Sequence, residues 1–233
     1  MSLSLQELSI LILILVVGIN ATALPGLNSE TANERSARFI TDNIVSEIEN
    51  VSQQIKDAGL DPLHIEREVL EYALPVPVIF NANAILEDIV STGLSDIVIN
   101  NINFSLLSAR LDLEIELPYI HVFARNINAD ATLFGNTLSV RGDGRVDVRN
   151  LVIKLDVRVN IGIISGISIN SVTADLSIPN ISSNIRLVIQ GKNYAEQVNE
   201  LIAKTIPDTL NEFNEELNEL IGIIVKDIIN DNL

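Results

Sequence analysis

The chain contains no cysteine and no tryptophan, and it holds only two histidines and one methionine. Without thiols there is no disulfide framework, no thiolate nucleophile and no thiolate metal site. A chain of 233 residues does not need disulfides, because it can bury a core large enough to stand alone. His64 and His121 have no partner at H-x-x-x-H spacing, so neither nominates a metal site. There is no G-x-S-x-G elbow and no phosphate-binding loop. Basic residues are scarce, 15 against 31 acidic ones, and the formal charge is −16. That balance argues against nucleic acid, anionic lipid headgroups and endotoxin as partners, since like charges repel the encounter. The many carboxylates fall at the polar positions of strands and helices, and none stands out as an acid–base pair. The sequence therefore points away from an enzyme, and it calls for no cofactor and no metal.

Aromatic residues are also few, at 4%, although 47% of the chain is hydrophobic. The interior must be built from Leu, Ile and Val, a composition that suits β-sheets or an apolar cavity. The longest apolar run, residues 8–17, is too short for a membrane span of roughly 20 residues. It has the length of a signal-peptide core, and Ala21-Thr22-Ala23 gives the small-x-small pattern of a cleavage site. Residues 1–23 are read as a signal peptide, with residues 24–233 as one secreted domain. An uncleaved anchor is the alternative, because Glu7 stands where a basic residue is usual. N-x-S sequons start at Asn50, Asn103 and Asn180.

Helical spacing comes next. Thr31 and Glu34 form a capping box. Ile40, Ile44, Ile48, Val51 and Ile55 then recur at intervals of three and four, one apolar stripe, and Gly59 stands at the usual helix-stop position. Pro75 and Pro77 keep "ALPVPVIF" extended and out of a sheet interior. From about residue 79 to residue 189 the period changes to two. In "RLDLEIEL", Leu111, Leu113, Ile115 and Leu117 alternate with Arg110, Asp112, Glu114 and Glu116. In "TLSVRGDGRVDVRN", at residues 137–150, one face carries Leu138, Val140, Gly142, Gly144, Val146 and Val148. The other carries Ser139, Arg141, Asp143, Arg145, Asp147 and Arg149. The tripeptide Arg141-Gly142-Asp143 thus fits the middle of a strand better than an adhesion loop, with the glycines marking a bend or a close approach. After it, Leu151, Ile153, Leu155, Val157 and Val159 continue the alternation with the parity slipped by one at Arg149-Asn150, which predicts a β-bulge or a tight turn. One apolar face throughout implies an antiparallel sheet with one wet side.

The last forty residues return to helix. Val198, Leu201, Ile202, Ile206, Leu210, Phe213, Leu217, Leu220, Ile221, Ile224, Val225 and Ile228 make one stripe. Pro207 predicts a kink or short break there, with Thr205 capping a new start. The stripe would span roughly 46 Å at 1.5 Å per residue, longer than a compact domain. The expected fold is α+β, a long curved antiparallel sheet along a long C-terminal helix, with a second, N-terminal helix.

This order resembles the insect takeout and juvenile-hormone-binding proteins and the related group-seven mite allergens. The motifs that carry the likeness are "LDPLHI" at residues 60–65, "STGLSDI" at 91–97, "LFGNTLSVRGDGRVDVRN" at 133–150 and "NYAEQVNELI" from Asn193. The resemblance implies a sheet rolled around the long helix, of the tubular lipid-binding type, enclosing an apolar tunnel for hormones, fatty acids or similar ligands. The cysteine pair usual near the mature amino end of takeout-type proteins is absent, which shifts the likeness toward the mite allergens. An aromatic often placed before the Gly135 run is also replaced, around Ala129-Asp130.

The expected function is a secreted carrier of an apolar small molecule or lipid, with burial as its mechanism. The wall residues nominated are Leu111, Leu113, Ile115, Leu117, Val140 and Ile153 from the strands, and Ile44, Ile48 and Phe213 from the helices. Tyr119 and His121 are candidates for a polar end. A different class of reading is an extracellular interaction protein with a solid core, an immune, allergen-like or adhesion partner. A third is surface activity through the stripe of the last helix, disfavoured on anionic membranes by Glu212, Glu215, Glu216, Glu219 and Asp227. Stable membrane insertion is not expected.

Overall fold

A computed structural model describes residues 30–162 and 166–230. The signal-peptide reading and the Thr31 cap fall outside the described residues and side chains. Helix α1 (Glu30–Asp57) ends as its glycine requires: Gly59 takes φ +69, and the Gly59 and Leu60 N–H groups donate to Lys56 O and Ile55 O. Eight strands follow: β1 (Leu63–Ala73), β2 (Phe80–Thr92), β3 (Val98–Ser105), β4 (Arg110–Leu133), β5 (Asn136–Gly162), β6 (Gly166–Ser177), β7 (Asn180–Ile189) and β8 (Lys192–Asn193). All pairings are antiparallel.

The frame is the hairpin of β4 and β5, 24 and 27 residues long. Its tip is Phe134-Gly135, where both residues have positive φ. Each long strand changes its outer partner midway. Near the tip β4 pairs with β2 and β5 with β7; toward the other end β4 pairs with β3 and β5 with β6. The molecule therefore has two regions, an upper sheet at the hairpin tip and a lower sheet at the far end.

The change of region coincides with a change of face. In the lower sheet the odd residues Leu111, Leu113, Leu155 and Val157 are buried. In the upper sheet the even residues Ile120, Val122, Val146 and Val148 are the apolar ones. The switch falls at Pro118 and Asn150. There the pairing continues without a shift, from Leu117↔Leu151 to Tyr119↔Arg149, and Asn150 takes φ +54. The expected bulge or turn at Arg149-Asn150 is thus corrected: a single left-handed residue turns the strand over while the ladder runs on. Bulges lie elsewhere, at Ile99/Asn101, at Ala124/Ile127 and at Arg158/Val159.

The C-terminal helix is interrupted twice. It comprises α2 (Ala195–Glu200), a π-helical turn (Leu201–Thr205), α3 (Ile206–Glu212) and α4 (Asn214–Asn230). The wide turn sits directly before Pro207, whose missing N–H would otherwise leave a gap in the ladder. Thr205 makes no side-chain cap, because the chain is already helical when it arrives there. A second break, at Phe213 with φ −103 and ψ 26, has no proline to announce it. Two asparagines bind the helices to strand backbones. Asn199 accepts from the Ile185 N–H and donates to Ile185 O, both at 2.8 Å, and Asn218 accepts from the Leu176 N–H at 2.9 Å.

Candidate ligand-binding site

The nominated wall residues divide between two environments. Ile44 and Ile48 of α1 and Leu111 and Leu113 of β4 are fully buried in one cluster with Phe104, Leu155, Val157 and Val225, and Ile115 and Ile153 pack against it. These six are brought together as a close-packed core of the lower region. Leu117 is half-buried beside Leu151, Val140 is half-buried in the upper sheet, and Phe213 is exposed at the helix break.

The upper sheet has a different inner face. Strand registers place Leu70, Ala84, Ala129, Val140 and Ile189 in one rung across five strands. The parallel rung is Tyr72, Ala82, Ala131 and Leu138. Four alanines occupy positions where the lower sheet has Leu, Ile and Val. Leu70, Tyr72 and Leu138 remain 51%, 61% and 43% exposed. The rung between these two, Glu71, Asn83, Asp130 and Ser139, is polar and faces the opposite way. Sequence reasoning missed this apolar face, because alanine carries no clear signal in an alternating pattern; only the cross-strand register assembles it.

The glycines of β5 serve the same region. A Cβ on Gly144, which has φ +140, would lie 2.3 Å from Asn184 O, and one on Gly142 would lie 3.1 Å from Arg186 O. β5 and β7 can meet this closely only with bare backbone there. Arg141 pairs with Asp130 at 3.3 Å and Asp143 with Arg186 at 2.8 Å. The tripeptide thus lies mid-strand with both charges engaged, and it is not a loop tip.

Two family-like motifs prove to be one device. The Asp61 carboxylate of "LDPLHI" accepts from the Gly93 and Ser95 N–H groups at 3.0 and 2.7 Å, and from Ser95 Oγ at 2.5 Å, all in "STGLSDI". Ser52 of α1 donates to Ser95 O. Burial pushes the Asp61 carboxyl up, but the hydrogen bonds from Ser95 and Gly93, with Lys56 nearby, hold it below its ordinary value.

A polar cluster marks the waist between the regions. Tyr119 donates to Asp147 Oδ1 at 2.6 Å, and His121 Nδ1 lies 2.6 Å from the same oxygen. The Tyr119 and His121 rings stack, and the Arg149 guanidinium lies 5.5 Å over the Tyr119 ring. Hydrogen bonds from Tyr119 and then His121 lower the Asp147 pKa against the effect of burial. Donation to Asp147 raises that of Tyr119. Tyr119 and His121 were nominated from sequence; Asp147 was not, since its place opposite His121 depends on the hairpin register. Among the described residues no group of His, Asp and Glu could hold a metal ion, and the cluster's bonds run between its own side chains. It acts as a clasp between β4 and β5.

An open hollow of about 480 Å³ on the lower sheet is lined by Leu113, Leu155 and Ala174 together with Asn101, Asn103, Asp112, Glu114, Lys154 and Asp175 among others. Among the described residues, no helix is long and apolar enough to cross a membrane.

Comparison with known proteins places the chain in a family and finds similar solved structures. The family described as haemolymph juvenile hormone binding protein matches residues 10–233. The crystal structure of Takeout 1 from Epiphyas postvittana is similar at 14% identity and a TM-score of 0.37, covering 86% of this chain and 91% of that one. A crystal structure of a lipopolysaccharide binding protein is similar at 11% identity and a TM-score of 0.30, covering 83% of this chain and 37% of that one. No curated protein matches significantly.

Proposed function

The chain belongs to the haemolymph juvenile hormone binding protein family, and from that premise we propose that it is a secreted carrier of an apolar small molecule or lipid. The observation that carries the reading is the upper inner face. Its rungs of Ala82, Ala84, Ala129, Ala131 and Val140 are apolar and mostly small, beside exposed Leu70 and Leu138. A ligand laid along this face would bury apolar surface at roughly 25 cal/mol per Å². About 300 Å² would then be worth about 7 kcal/mol, before the costs of association. Exposed Ile206 and Phe213 on the C-terminal helices offer a second apolar surface for the same cargo. Val140 is the nominated wall residue best placed for this role; Leu111, Leu113, Ile44 and Ile48 support it from the packed core. Signal cleavage after Ala23, a single domain over residues 24–233 and an enclosed tunnel belong to the same proposal.

The test begins with protein secreted from insect cells and purified without detergent, weighed by native mass spectrometry and then extracted with organic solvent. A stoichiometric apolar compound is the expected result. Ala129→Phe with Ala131→Phe should lower the affinity for a fluorescent fatty acid by about tenfold, the effect of roughly 1.4 kcal/mol, with an unchanged melting temperature. A clean apoprotein that also excludes the fatty acid at micromolar concentration would sink the proposal and favour the interaction-protein reading.

A further inference from the structure

The hairpin-tip end of the molecule is uncharged on both faces, which a one-sided ligand surface does not require. On the face of Glu71, Asn83, Asp130 and Ser139, the next rung toward the tip is Ala73, Asn81, Thr132 and Thr137. No charged residue occurs in residues 72–82 or 131–138, in a chain whose net charge is −16. The loop of residues 74–79 lies against the β4–β5 tip, with the Phe134 and Gly135 N–H groups donating to Ile79 O and Val78 O. Together they expose Tyr72, Val76, Val78, Ile79, Leu133 and Phe134, by between 40% and 73%. Apolar surface gathered in this way, with charge only at its margin in Glu71 and Asp130, marks an interaction site.

Part of the backbone at this end is satisfied within the tip itself. Pro75 and Pro77 have no N–H to desolvate. Leu74 N–H donates to Phe80 O and Ile79 N–H to Val76 O. Pro77 O accepts from Asn81 Nδ2 at 2.8 Å, and Phe134 O accepts from Asn136 Nδ2. These bonds leave fewer polar groups to desolvate where the loop meets an apolar phase. Tyr72, its ring 5.9 Å from that of Phe80, is an aromatic residue of the kind that settles at a membrane interface.

We propose that this tip docks on an uncharged lipid surface, placing the upper sheet where apolar cargo could be taken up or released. Charge selects the occupant. A second copy would bring a further −16, and an anionic bilayer would repel the rest of the molecule, whereas zwitterionic headgroups do neither. The carrier proposal could fail without this one failing, since docking is read here without cargo.

The chain lacks tryptophan, so Val76→Trp reports on the tip alone. With phosphatidylcholine vesicles its emission should shift to shorter wavelength, and Leu107→Trp should not shift. Leu107 is 91% exposed at the opposite end of β4, which makes it a control for general stickiness. In flotation, Val76→Asp with Val78→Asp should reduce vesicle partition by about tenfold or more, while Leu107→Asp leaves it unchanged. Added phosphatidylserine should weaken binding. The proposal is overturned if the wild-type protein does not float with phosphatidylcholine, or if the double variant floats equally well. It is also overturned if light scattering finds a wild-type dimer that the double variant abolishes and no vesicle binding.

Discussion

The two ends of the β4–β5 hairpin share strands but not packing. In the lower region Leu111, Leu113, Leu155 and Val157 face α1 and α4 and are less than a tenth exposed. In the upper region the rungs nearest the tip carry Ala82, Ala84, Ala129 and Ala131, and Leu70, Tyr72 and Leu138 beside them stay about half in water. A chain that merely needed stability would fill both. Leaving one side-chain layer thin forfeits packing and burial there, a cost that makes sense only where something else completes the layer. The lower end is the packed end of the molecule, and the upper end is where we propose that it binds.

Paired truncations test that division most strongly. Leu113→Ala, at a site 2% exposed, should cost about 3–4 kcal/mol through lost burial and a residual cavity. Leu138→Ala, at 43% exposure, should cost about 0.5 kcal/mol. Denaturant titration followed by circular dichroism measures both, and equal losses would show that the upper layer is packed as tightly as the lower. A ligand that occupies the upper face should widen the gap in reverse, by making Leu138→Ala weaken binding more than folding.

The two regions were not equally legible in the sequence. Alternation at "RLDLEIEL" and the isoleucine stripe of α1 identify the lower core almost residue for residue, because Leu and Ile recurring at a fixed period point to a buried face and to little else. The upper face was invisible, since Ala82, Ala84, Ala129 and Ala131 acquire meaning only when four strands are set in register. The parity slip was plain, but its cause was not. Periodicity reports that a face changes and not how, and Asn150 achieves the change by backbone conformation without an inserted residue. The break at Phe213 and the Asn199 and Asn218 clamps also escaped, for they depend on what the helices rest against.

Glycine substitutions sharpen the comparison at smaller scale. Gly144 and Gly191 both have positive φ, +140 and +78, so adding a methyl group strains either backbone. Only Gly144 would also meet the neighbouring strand, whereas nothing lies within 4 Å of a Cβ on Gly191. Gly144→Ala should therefore cost about 3 kcal/mol, strain and overpacking together, and Gly191→Ala about 1 kcal/mol from strain alone. Thermal unfolding of the two variants separates the two contributions. If they proved equal, the close approach of β5 and β7 would not be what holds Gly144 in place.

An effect of the size expected for Gly191→Ala belongs to the waist that joins the regions. Asp147 has its pKa lowered below 3.8 by Tyr119 and His121. A carboxyl depressed in the folded state contributes stability that is complete above its unfolded pKa and is lost as pH falls through the folded one. The clasp should therefore hold at neutral pH and weaken only below about pH 4. Asp147→Asn should remove about 1 kcal/mol at pH 7 and flatten the acid limb of a stability profile. Asp61, lowered likewise, acts in the same pH window, so the Asp61→Asn profile must be measured beside it. Loss of acid sensitivity in Asp61→Asn with none in Asp147→Asn would place the acid-labile contact at the α1 side of the molecule, leaving the waist to be held by its backbone ladder alone.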